Sequence, residues 1–355
     1  MIAPALALLL LVLGVVLPAT SWLTRRLPAL LENRVSPGAI AAPLRPVADL
    51  VKAAAKAPRR AEASGILHSL AVYASFLSAI ALFALLPFGG TYAFGEHALA
   101  IVVSDLDGSL LWLPAGLAIS GLSSLVLSLG AEKFPAAAAA RHARLTLLLV
   151  AASGLVLLGV AVSSGSLRLA EIAASQDATI SAFGWLQTLP FVELPEAALA
   201  LRVPAWGAVV QPLGFALFVA IAFVACRASF LAPAGVPGGG PRASLLRGAE
   251  LLRRPLFAAW IAALYLGAWS IPYADQARII DAASILGVGF ATAVCALLHI
   301  ASFSLKAALM LGLLIVADAA LPELRRDRLH RLVSAWVIPL ALLNAAVVSL
   351  SVVLP

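Results

Sequence analysis

One charged side chain stands within an apolar run, at a position where a charge can do chemistry. Lys306 lies near the middle of the run 295–317. A charge at the centre of a membrane span costs roughly 2.5–3.5 kcal/mol on insertion scales, so residues of this kind often carry ions or protons. We therefore predict that Lys306 takes part in catalysis; the alternative is a structural lysine bonded to backbone carbonyl groups.

The histidines and cysteines form no metal-binding pattern. His68 and His299 lie in separate apolar runs, where a lone histidine is more often a satisfied polar contact than a proton carrier. Cys226 and Cys295 have no partner at metal-ligand spacing, and CxxC, HxxxH, Walker and dinucleotide motifs are absent from the sequence. We predict that this chain binds no metal, iron–sulfur cluster or nucleotide, so any electrons come from another subunit.

The composition places these residues in a membrane protein. Of 355 residues, 63% are hydrophobic and 12% are charged, whereas globular proteins carry roughly 25% charged residues. Apolar runs long enough to cross a hydrocarbon core of about 30 Å recur along the chain. They predict an all-α bundle of about eight transmembrane helices within one membrane domain, residues 1–355, with spans at about 2–22, 65–88, 109–130, 145–164, 207–226, 255–273, 295–317 and 333–353.

The basic residues are unevenly distributed between the loops that join these spans. Four alternate loops, at about 23–64, 131–144, 227–254 and 318–332, hold nearly all of the 24 Lys and Arg residues. The other loops contain only Arg168, Arg202 and Arg278. Because basic loops stay in the cytoplasm, both termini are predicted on the non-cytoplasmic side. The net charge of +7 then reflects topology, and we predict no nucleic-acid partner.

The first basic loop contains a predicted amphipathic helix. Pro37, Pro43 and Pro46 exclude a continuous helix before it. In the sequence VADLVKAAAKA at 47–57, one face is apolar and the other charged: Val47, Leu50, Val51 and Ala54 against Asp49, Lys52 and Lys56. Such a helix lies in the membrane interface. It can anchor the chain to anionic lipid or form a docking platform for a soluble partner.

Several motifs, in one order along the chain, resemble those of a single membrane-protein family. They are Asn33-Arg34 with Pro37 and ADLVKAAAK (48–56), DLDGSLLWLPAGLAIS (105–120), EKFPAAAAAR (132–141), SGSLRLAEIAASQ (164–176), WGAVVQPLGFALF (206–218), LYLGAW (264–269), LKAALM (305–310), LPELRRDRL (321–329) and PLALLN (339–344). The family is the quinone-site membrane subunit, known as the H subunit or subunit 1, of proton-pumping NADH:quinone oxidoreductase, respiratory complex I. The resemblance covers most of the chain.

The resemblance implies a subunit of an oxidoreductase and translocase, in a bacterial inner membrane, with no complete active site of its own. It would bind quinone as a substrate at a subunit interface, anchor peripheral subunits that carry iron–sulfur clusters, and contact other membrane subunits and lipid. Glu250 and Lys306 are the implied catalytic residues. The implied quinone-pocket and docking residues are Arg25, Arg26, Arg34, Asp49, Lys52, Arg141, Arg227 and Phe230.

The chain departs from this family at most of the expected carboxylates. The positions are occupied by Thr24, Val150, Leu231, Ala234 and Val236. Glu250 is the acid that survives, with Arg247, Arg253 and Arg254 three or four residues away. A helix-start carboxylate of this kind can also be purely structural, stabilising the helix by about 0.3–1 kcal/mol.

Other functions remain open on sequence alone. One is the related membrane subunit of a membrane-bound hydrogenase, and another is a non-catalytic scaffold paralogue. The segment Gln211-Pro212-Leu213-Gly214-Phe215 and the loop at 321–329 favour the quinone enzyme over the hydrogenase. A secondary transporter is a third possibility, although the sequence contains no evident inverted repeat or pair of broken helices.

Overall fold

The apolar runs form helices in a computed structural model that describes residues 2–32, 45–56, 65–94, 97–131, 135–182, 195, 200–227, 240–322, 324 and 326–353. The longer helices are α1 Ile2–Leu31, α2 Arg45–Ala55, α3 Ile66–Ala84, α4 Trp112–Ala131, α5 Pro135–Ser164, α8 Pro212–Arg227, α9 Pro241–Tyr265, α11 Val288–Ala320 and α13 Ile338–Val353. The shorter ones are α6 Leu169–Ser175, α7 Gly207–Val210, α10 Gln276–Ala283 and α12 Arg326–Leu332. A π-helical stretch, Val333–Val337, joins α12 to α13.

Five of the predicted spans are long and apolar enough to cross a membrane. Among the described residues these are Ile66–Ala84, Ser109–Leu129, Ala139–Ser164, Val288–Ala320 and Asp327–Val353. Helix α8 is apolar but shorter, and α1 and α9 overlap the runs predicted at 2–22 and 255–273. The mostly helical membrane fold is confirmed, whereas the count of eight spans stays a prediction.

The sixth predicted span, 255–273, has the wrong boundaries. Helix α9 already begins at Pro241 and ends at Tyr265. Proline suits the first helical position because its missing N–H is not needed there. At the other end Gly267 and Ala268 adopt positive φ angles of 70° and 41°, and Ala268 N–H bonds back to the carbonyl of Ala262 at 3.0 Å. This left-handed turn closes the helix before the apolar run is over.

The predicted basic loops are partly helical, because several helices extend beyond the apolar runs. Helix α1 continues to Leu31, α5 starts at Pro135, and α11 continues to Ala320 before α12 begins at Arg326. Helical hydrogen bonding does not stop where the apolar composition stops, because arginine and alanine are good helix formers. Many basic residues therefore lie on helical extensions rather than in irregular loops.

One antiparallel hairpin and one further pair of short antiparallel strands are additions to the predicted all-α fold. Strand β1, Pro87–Phe94, pairs with β2, His97–Val102, and β3, Thr179–Ser181, pairs with β4, Arg202–Pro204. Strand β1 begins at Pro87, at the end of the predicted span 65–88, and the other strands lie in predicted loops between spans. Tyr92 of β1 is fully buried, and its hydroxyl lies 2.6 Å from Nδ1 of His299 in α11. Burial of this side chain attaches the first hairpin to the bundle.

Helix α9 lies at the centre of the bundle and contacts α1, α2, α3, α8 and α11. Its residues Phe257, Trp260 and Tyr265 are almost completely buried. Close helix approach elsewhere depends on small residues. A Cβ atom on Gly121 of α4 would lie 2.1 Å from Cγ2 of Thr146 in α5, so only glycine permits this contact between α4 and α5.

The predicted amphipathic helix is confirmed as α2, although its packed face differs in part. Ser244 of α9 donates a hydrogen bond to the Leu50 carbonyl at 2.8 Å, and Gly240 N–H donates to the Ala53 carbonyl at 2.7 Å. Ala53 is buried, whereas Val51 is 63% exposed. The sequence pattern indicates which residues are apolar, but the position of α9 decides which of them are covered.

Gln176 joins three segments of the bundle. Its Oε1 atom accepts hydrogen bonds from the backbone N–H groups of Gly207 and Gly267, at 2.9 and 3.0 Å. Its Nε2 atom donates to the carbonyls of Leu264 at 3.0 Å and Ile172 at 3.3 Å. These bonds connect α6, the start of α7 and the end of α9, where backbone groups would otherwise be unpaired inside the protein.

Gln176→Leu removes all of these hydrogen bonds while keeping a side chain of similar size. We expect the free energy of unfolding to fall by about 1–3 kcal/mol or more, because several buried backbone groups lose a partner. Gln176→Glu should retain part of the stability, since it keeps the acceptor for Gly207 and Gly267. Thermal unfolding of the purified chain in detergent measures both. Gln276→Leu, at a half-buried glutamine whose side chain donates a hydrogen bond to the Thr91 carbonyl at 3.2 Å, is the matched control; an equal effect of Gln176→Leu and Gln276→Leu would contradict the joining role.

Candidate functional site

A cavity of about 810 Å³ opens where several helices end. Its walls come from the C-terminal parts of α1, α8 and α11, the middle of α9, and α12 with the segment before it. The charged residues in its lining are Arg227, Glu250, Arg253, Arg254 and Asp318. The remaining lining includes the hydroxyl residues Thr20 and Thr24 and the apolar residues Leu251, Leu321, Leu324 and Leu329. The cavity therefore combines hydrogen-bond donors with an apolar wall.

Asp318 at the end of α11 binds two of these arginines. Its Oδ1 atom accepts a hydrogen bond from Arg227 Nε at 2.6 Å, and its Oδ2 atom accepts one from Arg254 Nη2 at 2.5 Å. Arg227 also donates to the backbone carbonyls of Asp318, Leu321 and Pro322 at 2.6–2.8 Å. Charge-assisted bonds of this kind are the stronger class. They fix the C-terminal ends of α8 and α11 to the middle of α9.

Glu250 faces the same cavity from α9. Its Oε2 atom lies 3.3 Å from Nη1 of Arg253, one helical turn further on, and its side chain is 29% exposed. The side chain of Arg253 is buried, at 8% exposure, whereas Arg247 is exposed and is not part of the cavity lining. Of the three arginines that flank Glu250 in the sequence, Arg253 thus pairs with it, Arg254 binds Asp318, and Arg247 lies outside the cavity lining.

The opposite end of the bundle carries an acidic cluster around Arg168. The guanidinium lies 3.4 Å from Asp105, 2.9 Å from Asp107 and 3.2 Å from Glu171. A hydrogen bond from Ser166 and the pairing with Arg168 lower the pKa of Glu171. Burial raises the pKa of the neighbouring Asp177, and the charge of Asp275 raises it further. One end of the helix bundle is thus rich in arginine, and the opposite end is rich in carboxylates.

Comparison with known proteins identifies the family. The sequence model described as NADH dehydrogenase matches residues 3–234 and 238–349. The chain belongs to this family. The resemblance inferred from the motifs is confirmed, and together with the apolar helices it establishes a multi-pass membrane protein.

Several relatives match this chain over most of their own length. It is 28% identical over 345 residues to the H subunit of NADH-quinone oxidoreductase from Thermomicrobium roseum, covering 93% of this chain and 89% of the relative. It is 25% identical over 351 residues to the H subunit numbered 1 of Cytophaga hutchinsonii, with coverages of 94% and 92%. It is 26% identical over 361 residues to the H subunit numbered 2 of Syntrophobacter fumaroxidans, with coverages of 96% and 93%.

The cavity brings together some of the residues that the family resemblance singles out. Thr24, Arg227 and Glu250, which lie far apart in the sequence, share its lining. Val150 lies on α5 and packs against the hydrophobic core instead. Arg34, Phe230, Leu231, Ala234 and Val236 lie outside the described residues.

The other predicted docking residues lie on helix surfaces outside the cavity lining. Arg26 stacks on the ring of Trp22 at 5.1 Å, with Arg25 beside it on α1. Asp49 and Lys52 are exposed on α2, and Arg141 is exposed on α5. The structure thus separates the predicted residues into a cavity group and a surface group.

Lys306 is not part of the cavity lining. Its contacts are those expected of a structural lysine that binds backbone carbonyl groups. Its Nζ atom donates hydrogen bonds to the carbonyls of Ala268 at 3.1 Å and Ser270 at 2.5 Å. It also lies 4.6 Å from the centre of the Trp206 ring, a cation–π contact. The ammonium group therefore binds the backbone turn that follows α9.

His299 makes the satisfied polar contact expected of a lone histidine. Its Nδ1 atom lies 2.6 Å from the Tyr92 hydroxyl, and its Nε2 atom lies 3.8 Å from Sγ of Cys295. Among the described residues, no group of three or more His, Cys, Asp or Glu side chains could hold a metal ion.

Sequence reasoning misses Asp318, which organises the arginines of the cavity. The available signal is an acidic residue at the end of an apolar span, next to a loop rich in arginine. That signal does not indicate the partners, because Arg227 and Arg254 come from other helices and meet Asp318 only in the folded bundle.

Asp318→Asn removes the charge shared by Arg227 and Arg254 with little change in shape. We expect the free energy of unfolding to fall by about 1–3 kcal/mol, because two charge-assisted hydrogen bonds weaken while both arginines stay partly buried. Thermal unfolding in detergent measures the loss. Asp327→Asn, at an exposed acid of α12, is the matched control and should have little effect. Wild-type stability for Asp318→Asn would show that the arginines do not depend on it.

Proposed function

We propose that this chain is the H-type membrane subunit of an NADH-quinone oxidoreductase, and that its arginine-rich cavity forms part of the quinone pocket. The observation that carries the proposal is that Thr24, Arg227 and Glu250 line one cavity of about 810 Å³. These positions were singled out by the family resemblance alone. The names of the relatives, which are H subunits of NADH-quinone oxidoreductase, support the same function.

The cavity has the chemistry that a quinone requires. The carbonyl oxygens of a quinone accept hydrogen bonds, and Arg227, Arg253 and Arg254 supply donors. The leucines of the lining suit an isoprenoid tail. Reduction of a quinone to a quinol takes two electrons and two protons. This chain contributes positioning and charge, and the electrons would come from an iron–sulfur cluster of a peripheral subunit, since one chain does not complete the active site.

The same cavity supports an orientation of the chain in the membrane. The parts of α1, α8, α9 and α11 on this side of the bundle also carry basic residues of the predicted cytoplasmic loops. By the positive-inside rule this end faces the cytoplasm, and both termini face the other side of the bacterial inner membrane. A peripheral subunit that delivers electrons from the cytoplasmic side would then meet the cavity directly.

Helix α2 is the part of this end that is proposed to dock the peripheral subunits. It lies against α1 and α9 through Leu50 and Ala53, and it leaves Asp49, Val51 and Lys52 exposed. An exposed apolar side chain beside exposed charges suits a protein surface as well as a lipid headgroup region. Docking to a subunit and anchoring to lipid predict different effects of charge reversal.

Charge reversal at Lys52 and Lys56 tests the docking role. We expect Lys52→Glu with Lys56→Glu to reduce co-purification of the peripheral subunits several-fold while the chain still inserts into the membrane, because like charges repel an acidic partner. Quantitative mass spectrometry of the affinity-purified complex measures the loss. Arg278→Glu, an exposed arginine at the other end, is the control. An intact complex with both lysines reversed would leave α2 as a lipid anchor only.

Glu250→Gln tests the function of the cavity. The amide keeps the shape of the side chain. It removes the charge that pairs with Arg253 and the carboxylate that could accept a proton. We expect quinone-dependent NADH oxidation by the assembled complex to fall several-fold, with normal subunit composition. Asp281→Asn, at an exposed acid of α10, should leave turnover unchanged.

The same measurement separates the proposed function from a scaffold. A scaffold paralogue would anchor its partners without taking part in the reaction. Normal turnover in an intact Glu250→Gln complex would therefore contradict a role of Glu250 in quinone chemistry and favour the scaffold.

A further inference from the structure

Three buried polar atoms meet where α5, α8, α9 and α13 pack together. They are Oε1 of Gln211, the hydroxyl of Tyr265 and Nδ2 of Asn344, and none has a hydrogen-bond partner among the described residues. The three residues are 5%, 0% and 4% exposed. They lie at the end of the bundle opposite the arginine-rich cavity, because Tyr265 is the last residue of α9 whereas Glu250 lies in its first half.

Two glycines show that these atoms converge on one small space. A Cβ atom on Gly214 of α8 would lie 3.2 Å from Asn344 Nδ2, 3.3 Å from Gln211 Oε1 and 3.5 Å from the Tyr265 hydroxyl. A Cβ atom on Gly159 of α5 would lie 2.9 Å from Asn344 Nδ2 and 3.3 Å from Gln211 Oε1. The two helices thus leave open the space that the three polar atoms face.

The orientation of Gln211 is set by a hydrogen bond of its own. Its Nε2 atom donates to the carbonyl of Gly159 at 3.1 Å, so its Oε1 atom is left as an acceptor in the shared space. Asn344 Nδ2 supplies N–H donors, and the Tyr265 hydroxyl can donate and accept. Donors and acceptors are therefore both present, which is the arrangement that a water molecule satisfies.

A cavity of about 200 Å³ adjoins this cluster. Gln211 and Tyr265 are part of its lining, together with the side chains of Ser163, Ser164, Ser175 and Gln176. The serine hydroxyls donate to carbonyls within their own helices, which leaves their oxygen atoms able to accept further hydrogen bonds. A water molecule takes up roughly 30 Å³ in the liquid and typically makes about three hydrogen bonds when bound in a protein, so this cavity has room and partners for several.

We propose that Gln211, Tyr265 and Asn344 bind a cluster of ordered water molecules that is continuous with the serine-lined cavity. Water donates to Gln211 Oε1 and accepts from Asn344 Nδ2, and it bonds the Tyr265 hydroxyl in either sense. Without such a ligand each atom would be a buried polar group with no hydrogen-bond partner, which destabilises the fold. The site brings water to the interior of the bundle at the carboxylate-rich end. It is independent of the quinone proposal.

Radiolytic labelling in H₂¹⁸O tests the site directly. Hydroxyl radicals made from bound water by a short X-ray pulse label the side chains beside that water, whether or not bulk solvent reaches them. Tyr92 is an internal control, since it is as buried as Tyr265 but its hydroxyl faces His299. In membranes that carry the full-length chain, we expect ¹⁸O incorporation at Tyr265 to be several-fold faster than at Tyr92. Equal, slow labelling of the two tyrosines would overturn the proposal.

Two variants identify the residues that hold the water. Gly214→Ala places a methyl group in the shared space, and Asn344→Leu removes a polar group with little change in size; each should slow labelling of Tyr265 several-fold. Gly154→Ala on α5, where a Cβ atom would meet nothing within 4 Å, should leave the labelling unchanged. Undiminished labelling of Tyr265 in inserted Asn344→Leu chains would show that the water lies elsewhere and contradict the assignment.

Discussion

The bundle depends on the backbone turn that follows α9. After Tyr265 the chain adopts two positive φ angles and leaves carbonyl and N–H groups inside the protein, where each unpaired group costs several kcal/mol. Two buried side chains bind them: Lys306 holds the carbonyls of Ala268 and Ser270, and Gln176 binds groups on both sides of the turn. A buried lysine and glutamine are tolerated because they replace water as partners of this backbone.

The position of α9 in turn decides the location of both polar sites. Its middle turns carry Glu250, Arg253 and Arg254 to the arginine-rich cavity, and its last residue, Tyr265, belongs to the proposed water site at the other end. Between them the helix is packed on all sides, with Trp260 donating a hydrogen bond to the Leu82 carbonyl at 3.3 Å. A shift of this helix would therefore alter the two ends together.

The charge balance of the cavity differs from the one that the carboxylates expected from the family resemblance would give. Among the residues that the structure describes, two acids, Glu250 and Asp318, face three arginines, and Thr24 offers a hydroxyl group where the family resemblance implies a charge. Asp318 is held by Arg227 and Arg254, whereas Glu250 pairs with Arg253 and is the acid that the proposed function assigns to quinone chemistry. The stability of Asp318→Asn and the turnover of Glu250→Gln therefore report on separate parts of one cavity.

The sequence alone determined the membrane class, five of the apolar spans, the charge difference between the two ends, the amphipathic α2 and the family. Each depends on composition or local spacing. Only the tertiary structure decided that α9 ends at Tyr265, that Lys306 binds a backbone turn, and that Asp318 pairs with Arg227 and Arg254. These contacts join residues tens of positions apart on different helices. Their partners are set by how the helices pack, and hydrophobic periodicity carries no record of that packing.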